Sequence, residues 1–123
     1  MGSVAICLPF VITEIADPGS QAFALELKAE KLEGFVVRKG PHIVAYLNRC
    51  PHLGVSLNWA ESVFLNYDEQ LIQCAMHGAL FTIEDGRCLW GPCLGENLEK
   101  LELETTETGQ IFIKLKDEYG DIG

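Results

Sequence analysis

The chain is 123 residues long and 48% apolar, which supplies one compact core and leaves no room for a second domain of ordinary size. Nine Lys and Arg stand against eighteen Asp and Glu, a net charge of -9. Charge of that sign repels phosphate backbones and anionic lipid surfaces, and so argues against nucleic acid and membrane as partners.

Taken in chain order, the first element is the apolar stretch 4–12, interrupted by Pro9. It falls short of the roughly 20 residues that span a bilayer. It also lacks the basic flank and small-residue cleavage site of a secretory signal, so a soluble, cytoplasmic protein is expected. Cys7, inside this strand-like stretch, is expected in the core. Period-two alternation then predicts strands over 22–27, 35–38 and 43–47. Between the last two, Lys39-Gly40-Pro41-His42 joins a residue tolerant of positive φ to one of fixed φ, which predicts a tight reversal with an exposed His42.

From 53 to 73 the pattern is irregular and reads as loop, with a short strand near 62–65. A further strand, 80–83, leads into Glu84-Asp85-Gly86-Arg87, where Asp-Gly signals a hairpin. Trp59 and Trp90 are expected to pack against the sheet or beneath neighbouring loops. Near the end, Leu101 and Leu103 alternate with Glu102 and Glu104, and Ile111, Ile113 and Leu115 follow Thr108-Gly109. That is a hairpin with one buried face, its Glu102, Glu104 and Glu107 solvated. The tail 117–123 is expected to fray. The expected fold is all-β and antiparallel, a single domain over 1–123 with a sandwich-like base.

Five cysteines, Cys7, Cys50, Cys74, Cys88 and Cys93, are an odd number without secretory context, which counts against a complete disulfide framework. Four of the chain's eight Cys and His residues fall in two half-motifs, Cys50-Pro51-His52-Leu53-Gly54 and Cys74-Ala75-Met76-His77-Gly78. Each offers one thiolate and one imidazole followed by a glycine. Two soft sulfurs and two borderline nitrogens suit zinc or an iron–sulfur centre. A mononuclear zinc site needs only four converging donors. A binuclear cluster held by two thiolates on one iron and two imidazoles on the other needs one Cys and one His from each loop, and this sequence supplies them.

On those two segments, and on Gly91-Pro92 after the second of them, the chain resembles the Rieske-type [2Fe–2S] family, in which two His replace two Cys on one iron. The resemblance implies a Rieske-type fold with a small cluster-binding subdomain at about 49–94. It implies that Cys50 and Cys74 hold the inner iron and His52 and His77 the outer one. Leu53, Gly54, Met76, Gly78, Gly91 and Pro92 would stand around them, the last two in a loop covering the cluster.

High-potential members of that family carry an extra disulfide-forming Cys in each loop, where this chain has Val55 and Met76. They also place a Ser and a Tyr after the second His-Gly, where this chain has Ala79 and Phe81. Loss of those hydroxyl donors leaves added charge on sulfur less stabilised and lowers the potential. The resemblance therefore implies the low-potential branch of dioxygenase ferredoxins and nitrite reductase small subunits. Its members pass single electrons from a flavoprotein reductase to an oxygenase or reductase. A structural Cys₂His₂ zinc module is the alternative. Cys88 and Cys93 either form a labile disulfide or sit as buried thiols, the commoner state in a reducing compartment. There is no P-loop and no dinucleotide fingerprint, and no orienting third residue is evident for a Cys–His nucleophile, so no independent catalytic site is expected.

Overall fold

The computed structural model describes residues 3–26, 31–49, 64–65, 70–74, 78–91 and 94–116. Within them run nine strands: β1 (Ser3–Val11), β2 (Gly19–Glu26), β3 (Lys31–Lys39), β4 (His42–Leu47), β5 (Ile72–Gln73), β6 (Leu80–Phe81), β7 (Cys88–Trp90), β8 (Lys100–Thr105) and β9 (Gln110–Lys116). A six-stranded sheet has the order β1-β9-β8-β4-β3-β2, and a small sheet has the order β5-β6-β7. Every pairing is antiparallel. The large sheet curls until its two edges share one core: Leu8 of β1 and Phe23 and Leu25 of β2 belong to one cluster with Val36, Ala45, Leu101, Ile111, Ile113 and Leu115. The base is thus close to a barrel. The Arg38 guanidinium ties its edges further, donating to the carbonyls of Ile12 and Ile15 at 3.1 and 3.0 Å.

The expected hairpins are present. Lys39 pairs with His42 across a two-residue Gly40-Pro41 turn, with Gly40 at φ +59 and His42 exposed. The β8–β9 hairpin buries its Leu and Ile face and leaves Glu102, Glu104 and Glu107 in solvent. The strands at 22–27 and 35–38 are longer than the alternation indicates, starting at Gly19 and Lys31. Near 62–65 the described residues hold only an isolated bridge, Leu65 to Ile72. Trp59 and the 117–123 tail lie outside the described residues.

Cys7 is exposed, contrary to expectation, and its neighbour Leu8 is the buried residue. An unbroken apolar run hides which parity faces inward. Here Pro9, which has no N–H to give a ladder, lies where the β1–β9 register shifts between Cys7 and Val11.

Strands β3 and β4 carry core on both faces. Phe35, Val36 and Val37 are all fully buried: Val36 points into the curl, whereas Phe35 and Val37, with Val44 and Tyr46, face a second core shared with the small sheet. Phe64 stacks on Phe35 with ring centres 4.1 Å apart, worth about 0.5–1.5 kcal/mol beyond area burial. That stack fixes the short 64–65 segment to β3. The Gln73 N–H then donates to the Phe64 carbonyl at 3.0 Å and fixes β5 to both.

The β6–β7 turn is seated on the base by Tyr46, whose buried hydroxyl donates to the Ile83 carbonyl at 2.5 Å. Lys100 Nζ adds a bond to the Glu84 carbonyl at 3.0 Å. Burial, and then the carboxylates of Asp85 and Glu84, push the Tyr46 phenol well above its ordinary value of about 10. Above that pH the unfolded chain releases a proton that the folded chain keeps. Stability therefore falls as pH rises, by at most about 1.4 kcal/mol per pH unit from this group. Tyr46→Phe removes that slope and leaves the Ile83 carbonyl without its donor, costing about 1–3 kcal/mol at neutral pH. Denaturant unfolding of both proteins between pH 7 and 11 checks the two effects together.

Candidate metal centre

The second half-motif opens where β5 ends. The Cys74 N–H donates to the Ala79 carbonyl at 2.9 Å, and the Gly78 N–H donates to the Cys74 carbonyl at 2.9 Å. Beyond the pairs Ile72 with Phe81 and Gln73 with Leu80, these two bonds hold the Cys74 end and the Gly78 end of the half-motif together. Gly78 closes it at φ +69, a left-handed conformation that favours glycine.

The Cys74 side chain is fully buried, in one core with Phe64, Ile72, Ala79, Phe81, Ile83 and Cys88. It reaches this position because it continues the inward parity of Ile72. Among the described residues, the core neighbours of Cys74 are apolar and include no carboxylate or imidazole.

The chain after β7 closes over the same place. A Cβ on Gly91 would lie 2.8 Å from Ala79 Cα, so the two backbones touch, and Gly91 itself stands at φ +112. Trp90 Cζ3 lies 3.8 Å from where a Gly78 Cβ would be. The structure thus brings Cys74, Gly78, Ala79, Phe81, Trp90 and Gly91 into one neighbourhood. Cys50, His52, Leu53, Gly54, Met76, His77 and Pro92 lie outside the described residues, as does Cys93. Among the described residues no group of three or more His, Cys, Asp or Glu stands where it could hold a metal ion.

Two expectations for neighbouring residues are resolved. Cys88 is a buried thiol that donates to the Trp90 carbonyl at 3.4 Å, in agreement with the reading that kept it out of a disulfide. Trp90 is not packed beneath the loops. It is 61% exposed and lies over Gly78 from outside. The cause is a bulge: Leu80 pairs with Trp90 and Phe81 with Cys88, so Leu89 is an extra residue on β7. A bulge re-aims the side chains beside it, and a run such as Cys88-Leu89-Trp90 gives no sign of one. The seat that Tyr46 makes for the β6–β7 turn was likewise missed, because its alternation marks it only as core.

The model of the Rieske [2Fe-2S] domain matches residues 13–108, more than three-quarters of the chain. The chain belongs to that family. A Rieske domain carries a [2Fe–2S] cluster, and the described part of the site suits one. Cys74 lies in an apolar core, and its backbone N–H is bonded to the carbonyl of Ala79, on which the Gly91 backbone packs. No curated protein sequence matches the chain.

Among solved structures, this Rieske domain is similar to the ferredoxin of carbazole 1,9a-dioxygenase from Nocardioides aromaticivorans IC177. The TM-score is 0.65 at 18% identity, over 92% of this chain and 97% of that one. It is similar to a chain in a complex of reduced oxygenase and oxidized ferredoxin in carbazole 1,9a-dioxygenase, with TM-score 0.64 at 21% identity over 90% and 91%. A putative NADH-dependent nitrite reductase small subunit from Mycobacterium tuberculosis gives 0.61 at 17% over 91% and 95%. At these identities the likeness shows the fold. Among the described residues no helix is long and apolar enough to cross a membrane.

Proposed function

We propose that this Rieske domain is a cytoplasmic, ferredoxin-like carrier of single electrons, taking them from a flavoprotein reductase and giving them to an oxygenase or another redox enzyme. One observation carries the reading. Cys74 of the second half-motif is fully buried, its backbone is bonded to Ala79 and Gly78, and Gly91 packs on Ala79. A pair of such half-motifs, each giving one inward thiolate and one outward imidazole, is the donor set that two irons need. When bound, the [2Fe–2S] cluster supplies reversible one-electron chemistry.

Cys50 and Cys74 hold the inner iron in this reading, and His52 and His77 the outer. The glycines at 54 and 78 let backbone amides approach the sulfurs. One domain, 1–123, carries the whole device, with the cluster region at about 49–94. The role of a free-standing carrier is supported by the coverage of whole ferredoxin chains in the comparison, one of them from a complex with its oxygenase. The nitrite reductase small subunit, of similar length coverage, favours a second reading as the electron-transfer subunit of such a complex. No substrate constellation argues for catalysis by the domain alone.

Ala79 and Phe81 are both fully buried and neither has a hydroxyl to donate to sulfur. The potential is therefore expected near the lower end of the Rieske range of about -150 to +300 mV. Anaerobically purified protein should hold two irons and two acid-labile sulfides per chain and give a Rieske-type EPR signal on reduction. Zinc in place of iron overturns the reading in favour of a structural Cys₂His₂ module. A cluster with a potential near the top of that range overturns the assignment to the low-potential branch.

A further inference from the structure

Among the described residues three large hydrophobic side chains are exposed, and all three fall within six positions: Leu89 at 42%, Trp90 at 61% and Leu94 at 67%. Elsewhere the alternation of the strands hides such groups well, so this concentration has a local cause. The bulge on β7 turns Leu89 and Trp90 outward together. The Leu94 N–H donates to the Gly91 carbonyl at 3.2 Å, which ties Leu94 to the residue that follows Trp90. The patch adjoins the candidate metal centre directly, since the Trp90 ring lies against Gly78 and Gly91 against Ala79. Exposed apolar area of this kind marks an interaction surface.

The charge around it narrows the partner. Residues 84–100 carry the exposed carboxylates of Glu84, Asp85, Glu96 and Glu99 against two cations, Arg87 and Lys100, the latter bonded to the Glu84 carbonyl. The Cys88 N–H donates to the Glu96 carbonyl at 3.0 Å, so Glu96 runs alongside β7. With a net charge of -9 on the whole chain, a second copy or an anionic membrane is repelled.

We propose that Leu89, Trp90 and Leu94 form the docking surface for a redox partner protein whose electron-entry site is an apolar patch ringed by lysine and arginine. The proposal rests on the electron-carrier reading above. Trp90 is the anchor, because a large flat ring contributes most when it is desolvated at the centre of a contact. The net negative charge of this stretch and of the whole chain steers the basic rim, and that contribution weakens as salt rises.

Ferricytochrome c, a basic haem protein with an apolar haem edge, is a suitable probe. Its binding to the cluster-loaded full chain is measured by calorimetry at low and moderate salt. Trp90→Ala and the double variant Trp90→Ala/Leu94→Ser are expected to bind at least about tenfold more weakly than wild type. Glu107→Gln, on the β8–β9 turn, should bind within about twofold, and wild-type binding should weaken with salt.

A second measurement separates this surface from the function beneath it. After dithionite reduction, one electron passes from the protein's cluster to hexaammineruthenium(III), giving ruthenium(II), and no proton moves. This small oxidant needs no docking surface and should react alike with every variant. Wild type that cannot reduce it overturns the electron-carrier reading. Normal ruthenium reduction with cytochrome binding indifferent to Trp90 and Leu94 overturns the docking surface alone. So does a wild-type dimer that Trp90→Ala breaks, because a second copy then covers the patch.

Discussion

Replacing Cys74 by alanine is expected to give a folded protein that holds essentially no iron, while replacing Cys88 by alanine leaves the iron content unchanged. The two thiols make a controlled pair. Both are buried, at 0% and 4% exposure, and both belong to the core between β3–β4 and the small sheet. As packing elements they are nearly equivalent, and removing one sulfur from such a core costs about 1 kcal/mol. Cys88 also loses a weak bond to the Trp90 carbonyl. Only Cys74 stands at the mouth of a loop that carries a histidine three positions on. In the proposed ligand set, loss of one of the two thiolates on the inner iron removes a bond that the apolar residues described around Cys74 cannot replace. Because metal binding couples to folding, the Cys74 variant should also unfold at lower denaturant than the packing term alone explains. Iron and sulfide analysis with denaturant unfolding on the same samples reads both effects. Iron retained by the Cys74 variant would remove Cys74 from the ligand set.

Much of this arrangement is legible in the sequence because it rests on short-range rules. Gly40-Pro41 and Asp85-Gly86 mark reversals by their own backbone preferences, and the Leu and Ile positions of β8 and β9 mark a half-buried hairpin. The half-motif at Cys74 is legible as a pattern for the same reason, since the spacing of its Cys and His is local. Features set by contacts far along the chain are not. Phe35-Val36-Val37 reads as one apolar run, yet it serves two different cores on opposite faces. The run Val4 to Ile12 shows no polar residue to mark the outward face and so suggests a buried Cys7, whereas the pairing of β1 with β9 decides otherwise. Aromatic burial is the ordinary expectation for Trp90, and a bulge with one extra residue reverses it. The seat of the β6–β7 turn on Tyr46 joins residues 37 positions apart, and nothing local announces it.

Gly91→Ala is expected to destabilise the protein far more than Gly95→Ala and to speed loss of iron to a chelator, although both glycines lie in the same connection after β7. Each has a φ that side-chain-bearing residues rarely adopt, +112 at Gly91 and +93 at Gly95. That strain costs about 1–3 kcal/mol in either variant. Around Gly95 a new Cβ meets nothing within 4 Å, so strain is the whole effect. At Gly91 the new Cβ would lie 2.8 Å from Ala79 Cα and 2.9 Å from Ala79 Cβ. Neither is the end of a flexible side chain, so a backbone must move, adding about 1–3 kcal/mol of overpacking. Ala79 cannot yield alone, because its carbonyl accepts the Cys74 N–H. The displacement therefore passes to Cys74, and in the proposed ligand set an inner ligand held off its place exchanges its metal faster. Equal unfolding midpoints for the two variants, or equal rates of iron loss, would show that the Gly91 backbone does not hold the second loop in position.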